Sequence, residues 1–526
     1  MATEAQAPPS PPVSTVDEQS SALDVLPTCI APTHYDIYLR PNIDSGLVPG
    51  SVCIEAQVRE RTSTIVMHAK DIVVEGVQLF INDEFAGDIA DSIEYDAAME
   101  TVAFQVPGEL VKDNLIRLMI DYRARISDGM YGLYRSKYVD RQGKQASMLV
   151  TQFQAKCARM VFPCWDEPVY KAAFTLQLTV PRSHTALSNM PVVRTEDLPG
   201  SQLQTVYFQR SPRMSTYLLA LVSGELDYVE STAAKSGIVV RVYTAPSDTD
   251  KVEFSLETAV RVLDMLGEMF SIPYPLPKLD LVAVPELEAG GMENWGLVLF
   301  RTVRLFITKQ TSLWIRQKAV YVIAHELSHQ WFGNLVTMQW WDDLWLNEGF
   351  ATWIGIYVTD LLYPEWKRWD HFAIEDRQAA LSADSLRSSH PIQVTIKGSA
   401  DIDQVFDSIT YYKGCALIRM LSEHLGIDRF MAGVRQYLIT HQFASATTGD
   451  LWNALETTTG ESVRLLMHSW TKMVGYPVVV VDDCFEDGRL RLRQLRYLHS
   501  GQPTDDEDRV VWWVPLAMVS SETGGK

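Results

Sequence analysis

The sequence predicts an α+β protein of several domains. Three observations carry that reading. Apolar and polar residues alternate, strand-like, from Ala31 to about Val222. Apolar residues then recur at helical spacing from Val252 onward. Strand character returns after Pro477.

Taken in order, residues 1 to 26 hold Pro8, Pro9, Pro11 and Pro12 with little to bury, so disorder is expected. Tyr35, Ile37 and Leu39, and later Phe174, Leu176, Leu178 and Val180, alternate with polar residues. Pro49-Gly50 and Pro199-Gly200 mark turns between strands. An antiparallel β domain follows from this. A strand from Ile238 to Tyr243 then leads into a helix carrying Val252, Leu256, Ala259, Val260, Leu263, Leu266 and Phe270. Pro273, Pro275 and Pro277 end that helix. A further strand, Leu279 to Val284, runs into Glu288-Ala289-Gly290-Gly291-Met292-Glu293-Asn294. The next helix is expected from about Leu313 to Phe332, and the one after it carries Glu348 in its first turns. Amphipathic helices fill about Pro364 to Val474. Strands are expected at Val478 to Val481, around Leu490 and Leu492, and at Val510 to Leu516.

The 526 residues suffice for three or four domains, and 47% hydrophobic with 21% charged residues is ordinary globular composition. A net charge of −20 argues against nucleic acid and against anionic membrane surfaces. No run approaches the roughly eighteen apolar residues of a membrane span. Met1 to Val16 has neither the basic and apolar regions of a secretory signal nor the arginines of a transit peptide. Six cysteines with no CxxC pair point to reduced core thiols, and a cytoplasmic protein is expected.

The chemistry is concentrated in His325-Glu326-Leu327-Ser328-His329, followed after eighteen residues by Glu348. On a helix, His-Glu-x-x-His puts both imidazoles on one face, within reach of one ion. With Glu348 as third ligand, one position of a tetrahedral zinc stays open to water, which is the layout of a catalytic site. Glu326, between the histidines, can reach that water as general base.

With these residues in place, the sequence resembles the M1 family of zinc aminopeptidases, over nearly its whole length from about Leu26. The matching stretches are TQFQAKCARMVFPCWDEP (Thr151 to Pro168), GGMENWG (Gly290 to Gly296), HELSHQWFGNLVT (His325 to Thr337), LWLNEGFA (Leu344 to Ala351) and TYYKG (Thr410 to Gly414). It looks most similar to the cytosolic puromycin-sensitive type and its fungal relatives. The resemblance implies an N-terminal β-saddle domain (27–228), a thermolysin-like zinc peptidase domain (229–476) and a partial C-terminal β-sandwich (477–526). It also implies one zinc ion per chain, held by His325, His329 and Glu348, and peptide substrates with a free N-terminus. Glu293 would face the substrate's α-ammonium. Gln152 and Gln154 would lie by the first side-chain pocket. Gly290, Gly291, Met292 and Asn294 complete the substrate-binding motif, its backbone pairing with the peptide as in strand addition. Tyr411, 82 positions beyond His329, would donate its hydroxyl to the developing oxyanion.

Four departures from the family pattern stand out. Gln154 occupies a position where many members carry a second glutamate. Gly291 replaces the usual alanine, as in the leukotriene A4 hydrolase branch. Phe300-Arg301-Thr302 stands where Tyr-Arg-Glu is usual. Relatives continue through a complete β-sandwich and a helical domain over the cleft. The chain is therefore expected to have an open cleft, poor selectivity for peptide length and an easily stripped zinc. Two other readings stay open: an epoxide or mixed hydrolase like the leukotriene A4 branch, and a truncated, non-catalytic peptide-binding protein. Trp340, Trp341, Trp345 and Trp353 are expected to pack the metal helices. Cys157 and Cys164 are expected to be structural, and Asp505-Asp506-Glu507-Asp508 a solvated loop.

Overall fold

The computed structural model describes residues 25–484 and 489–516. Residues 1–24 of the segment expected to be disordered lie outside the described residues, as do 517–526 at the far end. Leu26 belongs to the fold: it is buried, and its N–H donates to Glu167 Oε1 at 2.6 Å.

Three sheets build the first part of the chain. The largest has eight strands. Its centre is Ile30–Leu39, flanked by Leu47–Val58 and Ala173–Pro181. The alternation of Tyr35, Ile37 and Leu39 places these side chains in the core while their neighbours face out. The expected all-antiparallel pattern fails at one ladder, because Ile30–Leu39 and Ala173–Pro181 run parallel. A parallel pair needs a long crossover, and more than a hundred residues lie between these strands. A four-stranded sheet carries Gln145–Gln152, which leads toward Gln154, and a three-stranded sheet centred on Thr101–Leu110 completes the region.

The second part opens with a five-stranded sheet in the order Asp227–Thr232, Val239–Thr244, Lys278–Val284, Leu297–Arg301, Gly291–Met292. Lys278–Val284 is parallel to both its neighbours and fully buried; its leucines, valines and alanine suit a strand covered on both faces, and Lys278 pairs with Asp280 at 2.7 Å. Gly291–Met292 is the edge, pairing through Phe300 and Leu299, and among the described residues its other side is unpaired.

Helices pack beside this sheet. Glu253–Phe270 ends in a left-handed Ser271 just before the prolines. The helix Leu313–Ser328, here the His helix, is capped by Ser312 Oγ and finishes at His329, not at Phe332 as the sequence suggested. The chain turns there through Gly333, at φ +117°. A Cβ at that glycine would stand 3.2 Å from His329 Nδ1 and 3.3 Å from Asn347 Nδ2. The helix Trp345–Leu362, here the Glu helix, is apolar on nearly all sides and correspondingly buried. A π turn, Ile409–Lys413, runs into the helix Gly414–Leu425. Three more helices follow, then a hairpin of Pro477–Cys484 and Arg489–Arg496. Residues 510–516 form no strand. Trp512 is instead held by a side chain: Gln494 accepts from its N–H at 2.8 Å and donates to its carbonyl at 2.6 Å. The acidic loop is tied down at Glu507, which pairs with Arg387 at 2.7 Å.

Candidate active site

The His and Glu helices pack side by side and bring three donor atoms together. His325 Nε2 and His329 Nε2 are 3.1 Å apart, and each is 3.4 Å from Glu348 Oε2. Ligands about 2.0–2.2 Å from a tetrahedral zinc are separated by about 3.3–3.5 Å, so this triangle fits such an ion. His329 Nδ1 lies 2.9 Å from the Phe332 carbonyl. That contact fixes a proton on Nδ1 and leaves the Nε2 lone pair for a metal.

The surroundings are acid-rich. Glu293, Glu326 and His329 form a second buried group whose ligand atoms lie within 4.8 Å of one another. Burial lifts Glu293 to about 7 against the pull of His329, with Glu348 adding to the rise. Burial also pushes Glu326 well above the ordinary carboxyl range, helped by Glu293 and Glu348. Burial alone would lower His329, but the carboxylates of Glu293, Glu348 and Glu326 hold its imidazolium up to about 10. Burial works against ionised Glu348, yet His329 and His325 bring it to about 2. The protein groups by themselves thus draw a proton onto His329. A dication supplies that positive charge at the same Nε2, so the donor set suits zinc.

Tyr411 reaches this site from the π turn, its ring stacked 6.2 Å from that of His325. Burial, then Glu348, Glu293 and Glu326, push its pKa well above the ordinary tyrosine value. Its hydroxyl therefore stays a donor. Gly291 lies against Glu326: a Cβ there would meet Glu326 Oε1 at 2.4 Å. The missing methyl is filled by the carboxylate, so this glycine opens no extra cavity.

Strand alternation decides which motif residues face the cleft. Gly290, Gly291 and Glu293 line it. Met292 and Asn294 point to the other side and are fully buried. Met292 Sδ accepts from Gln152 Nε2 at 3.2 Å, and Asn294 Nδ2 donates to the Tyr217 carbonyl at 3.4 Å. These two can meet a peptide only through backbone. Gln152 and Gln154 come in from the β region to line the same cleft, of about 1000 Å³. Gln154 Nε2 donates to Glu293 Oε1 at 3.2 Å, which leaves the amide oxygen of Gln154 free to accept. A cavity of about 1020 Å³ beside Trp369, Arg419 and Trp513 is as large but, among the described residues, holds no cluster of ligand atoms.

Sequence reasoning missed several participants. Gln330 and Asn334 donate to the Glu293 carbonyl at 3.1 and 2.8 Å and hold the motif in place. Both are polar residues in an otherwise apolar run after His329, a readable signal. Arg304, Trp314, Tyr321 and Phe406 also line the cleft and carried no such signal. Trp340, Trp341, Trp345 and Trp353 do not line it: the last three are fully buried, and Trp340 donates to the Ile396 carbonyl at 3.1 Å.

Two family models match. One, described as the peptidase family M1 domain, covers residues 254–470, and the other, the peptidase M1 N-terminal domain, covers 31–218. Aminopeptidase M1 of Arabidopsis thaliana is 42% identical over 501 residues, covering 94% of this chain and 55% of the relative. Aminopeptidase 2 of Candida albicans is 39% identical over 500 residues, 95% of this chain and 53% of the relative. The puromycin-sensitive aminopeptidase of Caenorhabditis elegans is 38% identical over 499 residues, 94% and 52%. The chain spans about half the length of the curated relatives it matches.

Proposed function

Since the chain belongs to peptidase family M1, we propose that it is a zinc-dependent aminopeptidase, removing the first residue of peptides with a free N-terminus. The observation that carries this reading is the position of Glu293. Its buried carboxylate shares one cleft with the ligand triangle and with Glu326. An ammonium held there by charge-assisted hydrogen bonds leaves little room before the bond to be cut. Gln154 adds a neutral acceptor beside it.

His325, His329 and Glu348 would hold one zinc ion. When bound, the zinc polarises a carbonyl oxygen and lowers the pKa of a water. Glu326 removes a proton from the attacking water and delivers it to the leaving amine. Tyr411 donates its O–H to the carbonyl oxygen as negative charge builds there. The free edge of Gly291–Met292 aligns the peptide backbone. Among the described residues no helix is long and apolar enough to cross a membrane. We place the protein in the cytoplasm, although the Saccharomyces cerevisiae relative Aminopeptidase 2 is named mitochondrial.

The test is hydrolysis of aminoacyl amides, free and N-acetylated, by the purified chain with its zinc content measured. Turnover of free-amine substrates only, at about one zinc per chain, is expected. Glu326→Gln should keep zinc and lose about 10²–10⁴ in kcat. A protein that cleaves a lipid epoxide and no peptide, or that binds peptides with zinc but never turns over, would reverse the reading.

A further inference from the structure

Three cations line the cleft: Lys156, Lys318 and Arg304. Lys156 lies 3.8 Å from Asp403. Lys318 lies 3.8 Å from Glu375 and 4.0 Å from Asp376. Among the described residues Arg304 alone of the three has no acid within 4 Å, and its Nε is buried with no hydrogen-bond partner. In a chain of net charge −20, a cleft guanidinium without an acid needs a reason.

Its position supplies one. Arg304 sits on the short helix Thr302–Leu305, which follows the strand paired with Gly291–Met292. A Cβ on Gly290 would lie 3.9 Å from Arg304 Nε. Along the motif, Glu293 takes the amine, Gly291 touches the general base, and Gly290 comes next. A peptide entering amine-first therefore runs from Glu293 past Gly291 toward Gly290 and Arg304. The guanidinium meets the part of the substrate that leaves. It does not serve the base, since the charges that move Glu326 are His329, Glu293 and Glu348.

We propose that Arg304 binds a carboxylate on the leaving side of the substrate, one or two residues beyond the cut bond. This rests on the aminopeptidase reading above. A guanidinium fork matches a carboxylate in two parallel hydrogen bonds, and the cleft-lining guanidinium gains the charged partner it lacks. An extended chain advances about 3.3–3.6 Å per residue, so a carboxylate farther along passes beyond reach. Two sources fit: the C-terminus of a di- or tripeptide, and an aspartate or glutamate side chain next to the cut bond.

The zinc-loaded 526-residue chain would be given X-Gly as free acid and as amide, and X-Asp-amide beside X-Asn-amide. X is the best first residue of the reporter panel, or leucine if no reporter is cleaved. A charge-assisted pair should favour the acid by about tenfold or more in kcat/KM, through KM. Arg304→Gln should bring that ratio close to one, and Arg304→Lys should leave it intermediate. A ratio confined to the Gly pair assigns the terminal carboxylate; one confined to the Asp/Asn pair assigns the side chain. Equal rates for acid and neutral forms on both pairs would overturn the proposal, and so would a preference that survives Arg304→Gln. Calorimetry of the same peptides on zinc-loaded Glu326→Gln protein gives the ratio without turnover. If nothing is cleaved but the acid still binds tighter through Arg304, the aminopeptidase reading falls and this site stands. Equal binding removes the site whatever the turnover.

Discussion

Gly355→Ala should weaken zinc binding by forcing apart the two helices that carry the proposed ligands. Gly355 lies on the Glu helix seven residues after Glu348, two turns along the same face. A Cβ there would stand 3.2 Å from His325 N, 3.2 Å from Tyr321 O and 3.2 Å from Tyr321 Cε2. Two of these three neighbours are backbone of the His helix, which cannot rotate away. Ordinary contacts of about 3.5–4.0 Å require an opening of about 0.3–0.8 Å. Zinc sites tolerate about 0.2 Å in their ligand distances. Glu348 would therefore retreat too far from His325 and His329, and zinc affinity should fall about tenfold or more.

Stability sets two effects against each other. Glycine to alanine inside a helix gains roughly 0.5–1 kcal/mol, and overpacking costs about 1–3 kcal/mol. The net expectation is destabilisation. Gly267→Ala is the control, because on the helix Glu253–Phe270 its nearest neighbour, Ile272 O, would be 3.9 Å from the new Cβ. It should gain stability and bind zinc normally. Competition against a chelator gives the affinities, and thermal unfolding of metal-free protein gives the stabilities. If Gly355→Ala matched Gly267→Ala in both, close helix packing would not be what sets the ligand triangle.

Tyr411→Phe should lower kcat by about 10²–10³ and leave the zinc content at the wild-type level; wild-type kcat would remove Tyr411 from the oxyanion role. His390 Nε2 lies 3.0 Å from Asp407 Oδ2, while Asp407 Oδ1 accepts from Ile409 N and Thr410 N at 2.9 and 3.1 Å, in the turn that carries Tyr411. The Asp407 hydrogen bond raises His390 above its ordinary 6.5 despite burial. The pair's stabilisation is then full below pH 6.5 and lost as pH rises through the folded pKa, so the wild-type Tm should fall across that window more steeply than that of His390→Asn. Parallel Tm curves for the two proteins would show that the pair is inert. In metal-stripped protein, burial with Glu348 holds Glu293 up to about 7 against His329, so folding takes up a proton that the unfolded chain has lost. Its stability should fall between pH 4.5 and about 7, and reloading zinc should flatten the curve; a flat curve before reloading would contradict the buried-carboxylate account.

Local spacing was what the sequence displayed best. Histidines four apart face one way, and the structure sets their Nε2 atoms 3.1 Å apart. Tyr35, Ile37 and Leu39 declared their burial by alternation. Relations between distant segments were not legible in the same way. Nothing local to Tyr411 says that a π turn carries it to His325; the family likeness suggested it. The parallel ladder between Ile30–Leu39 and Ala173–Pro181 is a choice of topology, and alternation is the same for either direction. The His helix stops early because Gly333 is needed where His329 and Asn347 crowd the turn, a tertiary constraint. Val510 to Leu516 has strand composition, but its backbone meets side chains instead: Gln494 pairs with Trp512, and Trp470 donates to the Trp513 carbonyl. Arg304 could not be recognised from sequence, since its distinction is that no acid among the described residues lies near it.

The interior of this site is affordable only with cations present. Glu293, Glu326 and Glu348 are all nearly inaccessible to solvent, and ionised together they set three negative charges in a low-dielectric space. The chain answers within itself by protonating His329 and by lifting Glu293 and Glu326 out of the ordinary carboxyl range. A zinc ion brings two positive charges and a substrate ammonium brings one, which balances the three carboxylates. Glu326 can then ionise, as its proposed role of base requires. On this account the base reaches its working state only when the metal and a free amine are both bound. A peptide whose amine is blocked fails twice: it lacks the ion pair at Glu293, and it leaves Glu326 holding the proton it should be taking.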